Sequence, residues 1–157
     1  MIDYQVIWDE VTPRFRCSLD SIHGPEHWHN VEDVGLKMVR LTGADKDVVR
    51  LFAVLHDSCR VDDTYELTHG ERAAEYAGQL RGTLFELNDH QFRLLQYACQ
   101  WHAHGKVSAD PTIGACWDAD RLDLTRIGIM PDSKLLSTDE GKRIASELVN
   151  RSKARAH

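Results

Sequence analysis

The chain has 157 residues, of which 42% are hydrophobic and 28% charged, the size and balance of one globular domain with an adequate core. Its formal net charge of −6 excludes a broad nucleic-acid-coating surface while leaving room for a local basic pocket. The longest purely apolar run, Leu51 to Leu55, is far short of the roughly 20 residues that span a bilayer.

Turn-forming residues fall at Pro13, Gly24-Pro25, Gly43, Gly70, Gly82, Gly105, Asp110-Pro111 and Pro131. No segment between them alternates apolar and polar residues in the manner of a strand, and helical spacing recurs instead. The spacing predicts helices at about 2–16, 25–41, 45–58, 68–81, 88–104, 111–128 and 138–153. Asp45, Thr68 and Asn88 suit N-caps, and Gly43, Gly82 and Gly105 suit helix ends. Residues 151–157 are basic and read as a frayed tail. The expectation is a single all-α domain over 1–157, a bundle of six to seven helices. The start, Met1-Ile2-Asp3-Tyr4, lacks a signal-peptide pattern. The four cysteines (Cys17, Cys59, Cys99, Cys116) include no CxxC pair, so a cytoplasmic protein with reduced thiols is expected.

Nine histidines are the compositional oddity, and helical phase sorts them. His27 shares a stripe with Val31, Val34, Met38 and Leu41, whereas His29 lies with Glu32, Asp33 and Arg40. His56 is in phase with Val49 and Phe52 on a helix apolar nearly all round, and Asp57 follows it. His69 aligns with Ala73, Tyr76 and Leu80. His102 aligns with Phe92, Leu95 and Cys99, while His104 does not. Asp120 aligns with Ile113, Cys116, Leu124 and Ile127. An unpaired buried carboxylate is expensive, so Asp120 needs a cation, a backbone donor or Arg121 beside it. Taken singly, each residue reads as an ordinary core histidine or a cap. Taken together, four or more helices each turn a metal-ligating residue inward. Trp28, Trp101 and Trp117 adjoin these residues and read as core packing, with stacking on a base as the alternative.

Leu55-His56-Asp57 at a helix end, His27 followed four residues later by Val31, and Ala119-Asp120-Arg121-Leu122 resemble the H…HD…D signature of the HD-domain metal-dependent phosphohydrolase superfamily, over roughly residues 20–130. The resemblance implies a metal held by His27, His56, Asp57 and Asp120, with His23 and His29 as rivals for the first position and Asp118 as the fallback for the last. Some members carry additional histidines for a second metal. His69 and His102 are available for that, although their spacing departs from the dinuclear cyclic-dinucleotide phosphodiesterase pattern, and Ala103 separates His102 from His104.

Such a nitrogen and oxygen donor set suits Mn²⁺, Fe²⁺, Co²⁺, Ni²⁺ or Zn²⁺ better than Mg²⁺. Water on the ion would be acidified toward neutrality and could attack a phosphoester. Cationic groups should line the pocket; Arg60 and Arg121 are the candidates, with a surface pairing of Arg60 to Asp62 or Asp63 as the plainer reading. His69 and His102 are expected to hydrogen-bond the phosphate or protonate the leaving group. Asp118, Asp63 and His23 are candidates for orienting the imidazoles. The partner expected is a small phosphorylated substrate, with a nucleotide as one case. A homo-oligomer stays open, and no membrane or extended nucleic-acid contact is expected. Two alternatives stand beside hydrolysis: a di-iron oxygenase, which would need His69 and His102 as ligands, and a non-catalytic metal-stabilised module.

Overall fold

The computed structural model describes residues 1–156; His157, expected in the tail, lies outside them. Among the described residues there are seven α-helices and no strand: α1 (Tyr4–Val11), α2 (Pro25–Thr42), α3 (Lys46–Leu55), α4 (His69–Leu80), α5 (Asp89–Trp101), α6 (Pro111–Leu122) and α7 (Asp139–Arg155). The all-α architecture expected from the spacing is the one observed.

Local chemistry explains most of the boundaries. Asp45 accepts the Val48 N–H at the start of α3, Asn88 and Gln91 form a reciprocal capping box on α5, and Pro25 opens α2 where no N–H is needed. Gly43 ends α2 with φ 74°, a left-handed conformation that costs glycine nothing. Thr68 departs from expectation. It stands before α4, but its hydroxyl turns to the Glu66 carboxylate and makes no cap. The first helix is shorter than predicted and passes into a 3₁₀ turn, Thr12–Arg14, around Pro13. The sixth ends at Leu122 and continues as a 3₁₀ turn, Asp123–Ile127, closed by Gly128. The expected frayed tail is helical through Arg155.

α3 is the axis of the fold. Val48, Val49 and every residue from Leu51 to Leu55 are fully buried, and α3 packs against α2, α5 and α6. α4 lies on α5, and α7 covers α2 and α6. Trp28 and Trp117 are fully buried. Their indole N–H groups donate to the carbonyls of His23 at 2.7 Å and Ala98 at 2.9 Å. They are therefore core residues and not stacking platforms. No helix among the described residues is long and apolar enough to cross a membrane. All four cysteines are unpaired.

α4 approaches α5 closely at Gly70. A Cβ there would run into the Cys99 carbonyl oxygen and lie 2.9 Å from that of Gln100. Overpacking of this kind costs about 1–3 kcal/mol. Gly70→Ala is therefore expected to lower the melting temperature by roughly 2–10 °C in circular dichroism; a variant as stable as the parent would show that the two helices part freely.

Candidate metal centre

Five helix ends meet at one place. His27 is the third residue of α2, His56 and Asp57 follow the last turn of α3, His69 opens α4, His102 closes α5, and Asp120 lies two residues before the end of α6. Asp57 and the four histidines are buried; Asp120 is half-buried. The turn after α3 is fixed by its own backbone: the Ser58 N–H donates to the Leu55 carbonyl and the Arg60 N–H to that of Asp57.

The ligand-type atoms form two groups that share one carboxylate. In the first, the His27 and His56 Nε2 atoms are 3.1 Å apart. Asp57 Oδ2 lies 3.3 Å from His27 Nε2 and 3.4 Å from His56 Nε2. Asp120 Oδ1 lies 3.0 and 3.4 Å from the same two nitrogens. In the second, the His69 and His102 Nε2 atoms are 3.0 Å apart. They lie 3.1 and 3.2 Å from the other oxygen of Asp57, Oδ1.

Each imidazole is oriented through its other nitrogen. His56 Nδ1 faces the Phe52 carbonyl at 3.0 Å and that of Ala53 at 3.1 Å. His102 Nδ1 faces the Cys99 carbonyl at 2.7 Å, and His69 Nδ1 that of Glu66 at 2.7 Å. A carbonyl only accepts, so each Nδ1 carries the hydrogen and a neutral ring points a bare lone pair from Nε2. Carbonyls in the last turns of α3 and α5 thus set the tautomers; those of Ala53 and Cys99 have no backbone donor, and that of Phe52 also accepts the His56 N–H. His27 Nδ1 donates to Asp123 Oδ2 at 2.7 Å.

Paired lone pairs at 3.0–3.1 Å do not hydrogen-bond to each other; they need positive charge between them. Two carboxylates supply the same demand. Burial alone would lower the pKa of His27, but its hydrogen bonds to the Asp120, Asp123 and Asp57 carboxylates outweigh it and hold it up to about 11. Burial likewise opposes the charged form of His56, which the Asp57 and Asp120 charges raise to about 9. Burial would push both carboxyls up, yet the His56 charge and the imidazole hydrogen bonds hold them far below the usual range. Protons or a divalent ion answer that pull, and nitrogen and carboxylate donors in this number fit a borderline transition metal.

The other expected residues fall in different places. Arg60 is drawn in and not paired with Asp62 or Asp63: its Nε donates to Asp57 Oδ1 at 3.3 Å and its Nη1 to the Thr64 carbonyl at 3.2 Å. His23 Nδ1 lies 3.7 Å from Asp57 Oδ2. Asp118 is a structural cap. It accepts the Ser137 N–H at 2.7 Å, the Thr138 N–H at 2.9 Å and the Thr138 hydroxyl at 2.6 Å, so it anchors the start of α7 and orients no imidazole. Burial raises its pKa against those same bonds. Asp63 accepts from the Ser21 hydroxyl and ties two loops together instead. Arg121 borders the cavity, but its guanidinium holds the Lys106, Leu135 and His102 carbonyls. His29 stacks on Trp8 and His104 packs on Trp101, both outside the site.

Asp123 is the residue that sequence reasoning missed. Besides His27, it accepts from Asn30 at 3.2 Å and Arg126 at 3.1 Å. The available signal was its place three residues after Asp120, one turn further along the same face. The centre opens into a cavity of about 340 Å³ bordered by His23, Arg60, Tyr65 and Arg126. A larger groove of about 640 Å³ between α2 and α7 shares Asp123 and Arg126 with it but holds none of the ligand residues.

The fold is similar to the crystal structure of a predicted HD superfamily hydrolase from an uncultured Thermotogales bacterium. The TM-score is 0.70 and the identity 22%, over 98% of this chain and 92% of that chain. No family profile matches the sequence, and no curated protein does. At this identity the likeness is one of fold, and the fold is the helical one that the signature residues imply.

Asp120→Ala is expected to lose bound divalent metal on loading and desalting, measured by plasma mass spectrometry. Asp118→Ala should keep its metal and lose about 1–3 kcal/mol of stability; equal metal loss in both would return Asp118 to the ligand set. Asp123→Asn is expected to weaken metal binding by about 10–100-fold in a chelator competition, and unchanged affinity would show that the His27 ring needs no support from it.

Proposed function

We propose that the protein is a metal-dependent phosphohydrolase that cleaves a small phosphoester, a class that includes nucleotides. The carrying observation is the shared carboxylate. Asp57 gives one oxygen to His27 and His56 and the other to His69 and His102, a donor arrangement for two ions beside a cavity with cationic walls. The resemblance of the signature residues and the likeness to a predicted hydrolase support the same reaction class.

The first ion would be held by His27, His56, Asp57 and Asp120, and a second by Asp57, His69 and His102. A bound divalent ion supplies charge that polarises a phosphoryl oxygen and makes water nucleophilic near neutral pH. The chain's residues do the rest. The two aspartates by themselves would repel a phosphate, so binding depends on their neutralisation. Arg60 and Arg126 face the same cavity. Among the described residues, one terminal nitrogen of each has no protein partner, and these suit phosphoryl oxygens. Hydrolysis joins the water oxygen to phosphorus and releases the ester oxygen, which must take up a proton. His23, with 24% of its side chain exposed beside Asp57, is the group placed to give it.

We assign His69 and His102 to metal ligation and not to the proton transfer expected of them. Their Nδ1 atoms are held by carbonyls and their Nε2 atoms face Asp57 inside the protein. Burial lowers the pKa of His102, which favours the neutral form that a ligand takes.

The same six residues favour one competing reading, oxidation of a substrate by dioxygen at a di-iron centre, since imidazole and carboxylate also suit iron. The protein loaded with Mn²⁺, Co²⁺ or Ni²⁺ is expected to hydrolyse at least one of a panel of nucleotides, cyclic nucleotides and p-nitrophenyl phosphates. Chelation should abolish the activity and metal should restore it. Asp57→Ala should fall by more than about 100-fold. Loaded protein that turns over none of the panel but consumes oxygen when iron is bound would favour oxidation.

A further inference from the structure

We infer that the ester group of the substrate is apolar, an alkyl or aryl group with few hydroxyls. This deepens the phosphohydrolase reading and rests on it. The cavity over the metal centre has two zones. Its floor carries the ligand residues and the cations. Its rim is built by Ile22, Tyr65, Leu124, Ile127 and Leu135, which come from the loop before α2, the loop before α4, the 3₁₀ turn Asp123–Ile127 and a further 3₁₀ turn, Ser133–Leu135. Four separate segments thus place aliphatic or aromatic side chains around one opening.

The chemistry of the wall points the same way. No serine, threonine, asparagine or glutamine lines the cavity. Of the polar groups that do, Asp123 and Arg121 are already engaged, and the free nitrogens of Arg60 and Arg126 are the ones assigned to the phosphoryl end. Asp123 spends one oxygen on His27 and Arg126 and the other on Asn30. Arg121 is held by three carbonyls. A sugar or glycerol moiety would bring hydroxyl groups that need partners, and beyond the ligating aspartates the wall has no uncommitted carboxylate to receive them. A site built to read hydroxyls keeps such partners free. The rim carries exposed apolar surface instead: Tyr65 is 87% exposed, Leu135 42% and Ile22 42%. A soluble domain gains by covering such surface, and an apolar ester group does so while its phosphoryl end reaches Arg60 and Arg126.

Hexyl phosphate and glycerol 3-phosphate compare alkyl esters that differ in hydroxyl content, and the metal-loaded protein is the material for the assay. The expected result is a kcat/KM for hexyl phosphate at least about tenfold above that for glycerol 3-phosphate, ribose 5-phosphate or adenosine monophosphate. Ile127→Asn and Tyr65→Ser, at exposed positions that folding does not need, should move the hexyl-to-glycerol ratio toward one by raising KM for hexyl phosphate. Calorimetry supplies a readout without turnover: hexylphosphonate should bind about tenfold more tightly than 2,3-dihydroxypropylphosphonate. Turnover that favours the hydroxylated esters, or that shows no preference, overturns the inference and leaves the hydrolase reading standing. Preferential hexylphosphonate binding with no turnover of any ester removes the hydrolase reading and keeps the apolar specificity. Equal binding of the two phosphonates overturns the specificity whatever the turnover.

Discussion

The site depends on keeping the Asp57 carboxylate charged inside the protein. A buried charge costs several kcal/mol unless hydrogen bonds and opposite charge surround it. Here Arg60 donates to Oδ1, while the Nε2 atoms of His27 and His56 at Oδ2 and of His69 and His102 at Oδ1 stabilise the charge through a proton or a cation held between them. No single helix can supply that shell. The position of Asp57, two residues past the end of α3 and its fully buried run Leu51–Leu55, requires the ends of α2, α4 and α5 to come to it.

Helix ends are suited to this work because their backbones are unfinished. The Ala53 carbonyl near the end of α3 and the Cys99 carbonyl near the end of α5 lack backbone donors, and the His56 and His102 rings supply them. One hydrogen bond thereby satisfies the backbone and aims the opposite nitrogen at Asp57. His27 uses a carboxylate in place of a carbonyl, and Asp123 is in turn held by Asn30 and Arg126. Arg126 reaches on to the Ile22 carbonyl at 2.8 Å, which links the support of His27 to the loop that carries His23. Metal support and cavity wall are therefore parts of one network, and a change at Asp123 or Arg126 would be felt in both.

Much of the centre was legible from helical phase. His27, His56, His69, His102 and Asp120 each follow the apolar stripe of their own helix, and the structure brings them together. His69 and His102 were available for a second metal, but their spacing departed from the dinuclear pattern and left the second group open, because the distance in sequence between them says nothing about where α4 and α5 end relative to Asp57. Phase also failed for the other carboxylates. Asp118 and Asp120 are neighbours in sequence, yet one points to the start of α7 and the other to His27 and His56. Asp123 was hidden by the change from α-helix to 3₁₀ turn at Leu122, where the periodicity that sorts residues is lost.

By itself the sequence determined the helices, most of their caps and the inward faces, since these follow from propensity and short-range periodicity along a single element. Only the tertiary structure decided which inward residues share a carboxylate, which cations stay available and what surrounds the opening. Those depend on contacts between residues tens of positions apart, such as Asp57 with His102 or His27 with Asp123. Arg121 illustrates the division. Its place beside Asp120 marked it as a phosphate-binding cation, but three backbone carbonyls from distant loops and a helix end claim its guanidinium, and Arg126 stands at the cavity in its stead.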